Sequence, residues 1–177
     1  MRRKLAESLP QVETLPGTAE AIPISDGSVD AVFCAQAFHW FDGDRALGEI
    51  HRVLRPGGGL GLVWNVRDEA VEWERRLSEL LSRCDADAPR KMWGRWKEAF
   101  ERTTLFTPLE AREFEHRQEG DVEMMLARVA SISFIASLPE EERASLLSEA
   151  RELVEPHESP LAMHYRTEVY WCRRRPE

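Results

Sequence analysis

Cysteine is scarce in this chain. Its three cysteines, Cys34, Cys84 and Cys172, stand far apart among 177 residues. No Cys-x-x-Cys pair occurs, so neither a zinc ribbon nor a disulfide framework is expected, and no metal site is assigned. Buried free thiols are the expected state of all three. Long apolar runs are missing too. None approaches the ~20 residues that a membrane-spanning helix needs. Met1-Arg2-Arg3-Lys4 looks like the start of a secretory signal, but no apolar stretch follows it. A cytoplasmic setting and no membrane partner are therefore expected. Positive charge is in deficit, with 24 Lys and Arg against 32 Asp and Glu, a formal net charge of -8. The short basic clusters Arg2-Arg3-Lys4 and Arg173-Arg174-Arg175 sit at the two ends of the chain. Nucleic-acid binding needs a concentrated basic face, so none is expected. There is no internal repeat.

What is present suits one globular domain over residues 1–177: 42% of residues are hydrophobic and 32% charged. Arg2 to Leu9 reads as a helix and Val12 to Leu15 as a short strand, stopped by Pro16-Gly17. Val29 to Cys34 reads as a buried strand. Asp42 or Asp44 can cap the next helix, which places Ala46, Leu47, Ile50, Val53 and Leu54 on one face. Gly57-Gly58-Gly59 reads as the cap and turn ending that helix, and Leu60 to Trp64 as a strand buried on both sides. Asp68 is expected to cap a helix striped with Trp73, Leu77, Leu80, Leu81 and Cys84. Trp93, Trp96 and Phe100 belong to a further helical piece. Leu109 to Arg117 reads as a strand, and Asp121 caps a helix carrying Met125, Val129 and Ile132. Ser137-Leu138-Pro139-Glu140 has a capping-box pattern. Leu161 to Cys172 alternates with period two. Strands and helices in this order make an α/β fold with a mostly parallel sheet.

"CAQAFHWFD", residues 34 to 42, is an unusual sequel to a core strand. Ligands of open α/β sheets bind at the carboxyl ends of the strands. Gln36, His39 and Trp40 stand at such an end. An imidazole there can accept a proton. An indole can pack on a ligand or attract a cation through its face. The competing reading has His39 and Trp40 filling the core beneath the following helix.

Three pieces of one run carry a resemblance: "GTAEAIPISDGSVD", "AVFCAQAFHW" and "LRPGGGLGLV". Together they resemble the second half of a class I S-adenosylmethionine-dependent methyltransferase, of the type 11 small-molecule branch. The resemblance implies a Rossmann-like sheet of strand order 3-2-1-4-5-7-6, with the last strand antiparallel and helices on both faces. Val12–Leu15, Val29–Cys34, Leu60–Trp64, Leu109–Arg117 and Leu161–Cys172 would be strands three to seven. Residues 68–105 would form a helical insertion over the substrate side. Thr18, Ala19 and Glu20 would lie near the adenine, unless they form an ordinary polar loop. Ala35 and Gln36 would face the methyl donor, His39 would be the catalytic base, and Trp40 and Asn65 would touch the substrate. The implied cofactor is S-adenosylmethionine and the implied partner a small-molecule methyl acceptor.

Strands one and two of that order have no counterpart here. The glycine-rich loop after strand one is likewise missing, and so is the acidic residue that holds the ribose. An N-terminally truncated sheet is the expectation, with Met1 an internal methionine of a longer frame. Weak or absent cofactor binding follows. The bare edge of Val29–Cys34 should close on Val12–Leu15, pair with a second copy as a homodimer, or lower solubility. The function expected is methyl transfer to a small molecule. The alternative is a non-catalytic remnant acting as a partner-binding or structural protein.

Overall fold

The computed structural model describes residues 8–84, 96–157 and 160–176. The helix expected over Arg2–Leu9 falls largely outside these residues, as does Trp93. The chain forms β1 (Val29–Ala35), a 3-10 turn (Phe38–Trp40), α1 (Gly43–Val53), β2 (Leu54–Arg67), α2 (Glu72–Ser82) and α3 (Trp96–Arg102). There follow β3 (Glu110–Gly120), α4 (Val122–Ala130), α5 (Ser133–Ala136), α6 (Glu140–Val154) and β4 (Leu161–Arg173). The strands form one sheet in the order β1-β2-β4-β3.

Close contacts fix the strand directions. A Cβ on Gly58 would lie 3.0 Å from the Asp30 carbonyl, and one on Gly61 would lie 2.7 Å from the Phe33 ring. The two contacts advance together along β1 and β2, so these strands are parallel. β2 and β4 pair in the opposite sense. The Arg174 N–H donates to the Gly58 carbonyl at one end, and the Asp68 N–H donates to the His164 carbonyl at the other. An antiparallel bridge joins Phe106 to Arg174 between β4 and the approach to β3.

The chain divides into two compact units. Unit 1 comprises residues 1–62, 96–110 and 170–177. Its core holds Ala46, Leu47, Ile50 and Val53 from one stripe of α1, with Phe38, Leu60, Leu62, Trp96 and Ala99. The Asp42 carboxylate caps α1 by accepting from the Arg45 N–H at 3.3 Å. Gly43 is required for close approach, because a Cβ there would lie 2.7 Å from that of Ala99. Unit 2 comprises residues 63–95 and 111–169. Its core packs Trp73, Leu77, Leu80 and Leu81 of α2 against Met125, Val129, Ile135, Leu146, Ala150 and Val154, closed by Leu161, Met163 and Tyr165 of β4. Asp121 caps α4 through the Met124 N–H at 2.8 Å.

Several expectations are corrected. Val12–Leu15 forms no strand; Val12 and Leu15 are exposed, and the Val12 N–H closes a turn on the Leu9 carbonyl. With Gln11 and Glu13 interleaved and no described neighbour to pair with, the segment has neither a buried face nor a ladder among the described residues. Among the described residues the sheet thus has four strands rather than five. β1 is an edge strand and none of its residues is buried. Phe33 is 76% exposed. The glycine run does not cap a helix: α1 ends at Val53, and Gly57-Gly58-Gly59 already belong to β2. Gly57 adopts φ +76°, a left-handed conformation that only glycine takes readily. Asp68 does not cap α2, whose N-cap is Val71; the Asp68 carboxylate instead accepts from the Ala70 N–H in a local turn. No capping box forms at α6. Pro139 is its N-cap, and the Ser137 hydroxyl donates to the Phe134 carbonyl behind it.

Candidate functional site at the carboxyl end of β1

In unit 1 the loop before β1 is built as a rigid platform. Gly17 is pressed against Pro23, where a Cβ would sit 2.5 Å from the proline Cδ. Thr18 and Ala21 form an isolated bridge, with the Ala21 N–H donating to the Thr18 carbonyl at 3.2 Å. The Glu20 carboxylate accepts from the Asp42 N–H at 3.0 Å. Backbone N–H groups, its own first and that of Asp42 next, hold the Glu20 carboxyl below its ordinary range. Glu20 is thereby ionised and tied to the start of α1.

Arg52 clamps the rest of that loop. Its guanidinium donates to the carbonyls of Ile22 at 2.7 Å and Ile24 at 2.9 Å, and to Asp26 at 2.7 Å. It also grips Glu49 through two bonds, at 2.9 and 2.8 Å. Glu49 in turn accepts from the Ile22 N–H at 2.9 Å. The bonds from Arg52 lower the Glu49 carboxyl to about 2. A planar five-donor fork suits this use better than a lysine would. Sequence reasoning missed the clamp. The available signal was a Glu–Arg pair three residues apart on α1.

At the other side of the platform β1 ends at Ala35, which is exposed. Gln36 follows with φ +52°, left-handed although it is not glycine. Such a conformation is uncommon and tends to occur where a site must aim a backbone or side chain. The 3-10 turn then separates the aromatic residues. Phe38 is buried, with rings of Phe41, Phe100 and Trp96 at 5.6, 5.3 and 6.3 Å. His39 is 8% exposed, and burial lowers its pKa, so its imidazole is neutral at pH 7. Its ring lies 5.0 Å from that of Trp40, which is 52% exposed. The stretch is therefore divided, and Trp40 does not fill the core. Phe38 plugs the core, while Gln36 and Trp40 face outward and His39 sits at the boundary.

Thr18, Ala19, Glu20, Ala35, Gln36, His39 and Trp40 all belong to unit 1. Asn65 belongs to unit 2, where its carbonyl oxygen accepts from the Thr167 hydroxyl at 2.8 Å. Burial raises the Cys34 thiol to about 11 and the Cys172 thiol to about 12, which leaves both protonated and unreactive. Among the described residues no cluster of three or more His, Cys, Asp or Glu is arranged to hold a metal ion. No described helix is long and apolar enough to cross a membrane.

A model of the methyltransferase domain matches residues 1–62. An uncharacterized methyltransferase-like protein of Schizosaccharomyces pombe is 42% identical over 149 residues, covering 84% of this chain and 58% of the relative. An uncharacterized methyltransferase of Mycobacterium tuberculosis is 42% identical over 156 residues, 86% of this chain and 60% of its own length. The solved structure of a protein described as a type II methyltransferase, from Anaeromyxobacter dehalogenans, superposes with TM-score 0.59 at 23% identity. It covers 97% of this chain and 78% of that one, and shows the fold.

The chain is similar to methyltransferases over most of its length, and its fold is the Rossmann-like fold of such enzymes. It spans about 60% of the length of the curated relatives it matches. The family order of strands four, five, seven and six is the observed order β1-β2-β4-β3. Exposed Ala35 admits close approach to the backbone, and Gln36 carries both a donor and an acceptor. The Glu20 carboxylate is engaged by the Asp42 N–H. An open backbone at Ala35 and the Gln36 amide beside it are groups that such a cofactor could meet at this strand end.

Proposed function

We propose that this chain forms the acceptor-side part of a cytoplasmic enzyme that transfers a methyl group from S-adenosylmethionine to a small molecule. When bound, the cofactor supplies an electrophilic methyl group on a sulfonium centre. Thr18, Ala19 and Glu20 lie against the adenine, and Ala35 and Gln36 against the methyl-bearing end. Trp40 contacts the acceptor. His39 takes the acceptor's proton, and a neutral imidazole at pH 7 is in the state that this role requires. The observation that carries the reading is the left-handed Gln36 directly after the exposed Ala35, at the carboxyl end of a strand parallel to its neighbour.

Calorimetric titration with S-adenosylmethionine tests it. Saturable binding with a dissociation constant of about 0.1–1 mM is the expected outcome, weaker than micromolar because the ribose and amino-acid contacts are missing. Absence of saturation at millimolar ligand would hand the chain to a second reading, a partner-binding protein without catalysis. The outer edge of β1 favours that reading. It has no described neighbour, and it carries Phe33 between Ala31 and Ala35 on an exposed face. Antiparallel pairing with a second copy about Val32 would set Phe33 over Ala31 of the partner and satisfy the bare edge. Sedimentation velocity of the wild type and Phe33→Thr separates the cases. A dimer that Phe33→Thr dissociates supports pairing of copies, and a wild-type monomer at ~100 µM, well above the dissociation constant of a specific interface, refutes it.

A further inference from the structure

In unit 2, α2 and β4 hold between them an ionisable pair with no part in the reading above. Glu74 of α2 is wholly buried, whereas the His164 side chain is 40% exposed. The Glu74 Oε1 lies 2.7 Å from His164 Nδ1. Both carboxylate oxygens also accept from the His164 backbone N–H, at 3.2 and 3.0 Å. The backbone bond and the ring bond together fix the imidazole in position and orientation. The Nδ1 edge faces a buried carboxylate, so the exposed part of the ring is its Nε2 edge. Burial raises the Glu74 carboxyl, and the bonds from His164 oppose that rise. Asp68 is the other charged group acting on Glu74, with the same sign.

The position is as informative as the pair. β4 runs antiparallel to β2, so its first residues lie at the carboxyl end of β2. The bond from the Asp68 N–H to the His164 carbonyl marks that end at 2.9 Å. Carboxyl ends of parallel strands are where α/β sheets bind ligands. A wholly buried glutamate is costly unless it is paired, and a packed apolar side chain would stabilise α2 against β4 without that cost. A carboxylate behind an imidazole that shows its far nitrogen to solvent is the arrangement that holds a proton acceptor in one tautomer.

We propose that His164 is a proton-accepting group of this chain, with Glu74 its positioning residue, and that it acts on the hydroxyl or carboxylic acid of a small molecule. This rests on the methyltransferase reading for its ligand class and on geometry for the rest. The O–H bond of the small molecule held at His164 breaks and its electron pair stays on oxygen. The proton forms a new bond to Nε2, and the Nδ1 proton remains in its bond to Glu74. An oxyanion and an imidazolium–carboxylate pair result.

The test reads the chain without S-adenosylmethionine, so its outcome is separate from the titration above. Long-range 15N–1H spectra of the labelled wild type give the tautomer directly. Nδ1–H with a bare Nε2 is expected, and an Nε2–H tautomer would overturn the proposal without any variant. Diethyl pyrocarbonate then measures Nε2 reactivity against pH, with peptide mass spectrometry resolving the five histidines. In Glu74→Gln the Nδ1–H tautomer should be lost and the reactivity profile of His164 Nε2 should change. An unchanged profile in a folded Glu74→Gln variant would leave the carboxylate a purely structural role and refute the dyad.

Discussion

Unit 1 presents a strand whose outer edge has no described neighbour, beside a loop held by ion pairs, whereas unit 2 encloses an apolar core between α2, α4, α6 and β4. Polar groups are used differently in each. In unit 1 Arg52 and Glu49 stitch backbone to backbone at the surface. In unit 2 Glu74 is taken wholly out of water to hold one histidine. The contrast teaches where each kind of contact is worth placing. An irregular loop has no ladder, so its carbonyls must find donors elsewhere, and a guanidinium supplies several at once. A helix stripe needs no such help, and a polar group beneath it asks for another explanation.

The sharpest break in this comparison is a core truncation. Leu81 is wholly buried in unit 2. Leu81→Ala should cost about 3 kcal/mol in urea unfolding, from lost burial and the residual cavity. Phe33→Ala, on the exposed edge of unit 1, should change stability by less than ~0.5 kcal/mol, as surface substitutions usually do. Equal losses at the two positions would mean that the β1 edge is covered in solution.

A second test stays inside unit 1 and uses two glycines of opposite character. A Cβ on Gly17 would meet the Pro23 Cδ at 2.5 Å, whereas one on Gly48 of α1 would meet nothing within 4 Å. Gly17→Ala should therefore destabilise by roughly 1–3 kcal/mol through overpacking of the platform loop. Gly48→Ala should stabilise by about 0.5–1 kcal/mol, since alanine costs less backbone entropy in a helix. Thermal melts of both variants check the pair, and a stabilising Gly17→Ala would show that the platform is not tightly closed.

Legibility in the sequence followed periodicity. The stripe of α1, the α2 stripe through Leu81 and the alternation of Leu161–Cys172 each produce one element, because a buried face leaves a regular pattern. Asp42 and Asp121 were readable as caps for a similar reason: one side chain satisfies one nearby N–H. Val12–Leu15 misled because short apolar runs carry no information about a missing neighbour. Val29–Cys34 misled in the same way; its composition is that of a core strand, yet it stands at an edge. For the candidate site, the chain neighbours Ala35, Gln36, His39 and Trp40 were legible as a group. The positive φ of Gln36 was not, since glutamine gives no hint of it. The Glu74–His164 pair spans 90 residues, and no local pattern could have joined them.

The smallest and most discriminating effect is the response to pH, because the two glutamates should act with opposite sign. Glu49 has its carboxyl lowered to about 2 by Arg52. Between that value and the ordinary 4.5 the unfolded chain binds the proton and the folded chain does not. Stability contributed by Glu49 is therefore complete above about 4.5 and is lost as pH falls toward 2. Glu74 has its carboxyl raised, chiefly by burial. Above the ordinary glutamate value the folded chain keeps a proton that the unfolded chain has released. Its contribution then declines as pH rises through that window and levels off once the raised value is passed. Thermal melts from pH 2 to 7 separate the two. Glu49→Gln should flatten the acid limb of the curve, leaving the region above 5 unchanged. Glu74→Gln should remove the decline just above 4.5 and leave the acid limb as steep as in the wild type. If Glu49→Gln keeps the wild-type acid limb, the ion pair with Arg52 contributes nothing to holding the platform loop, and the carbonyl bonds of Arg52 alone must do so.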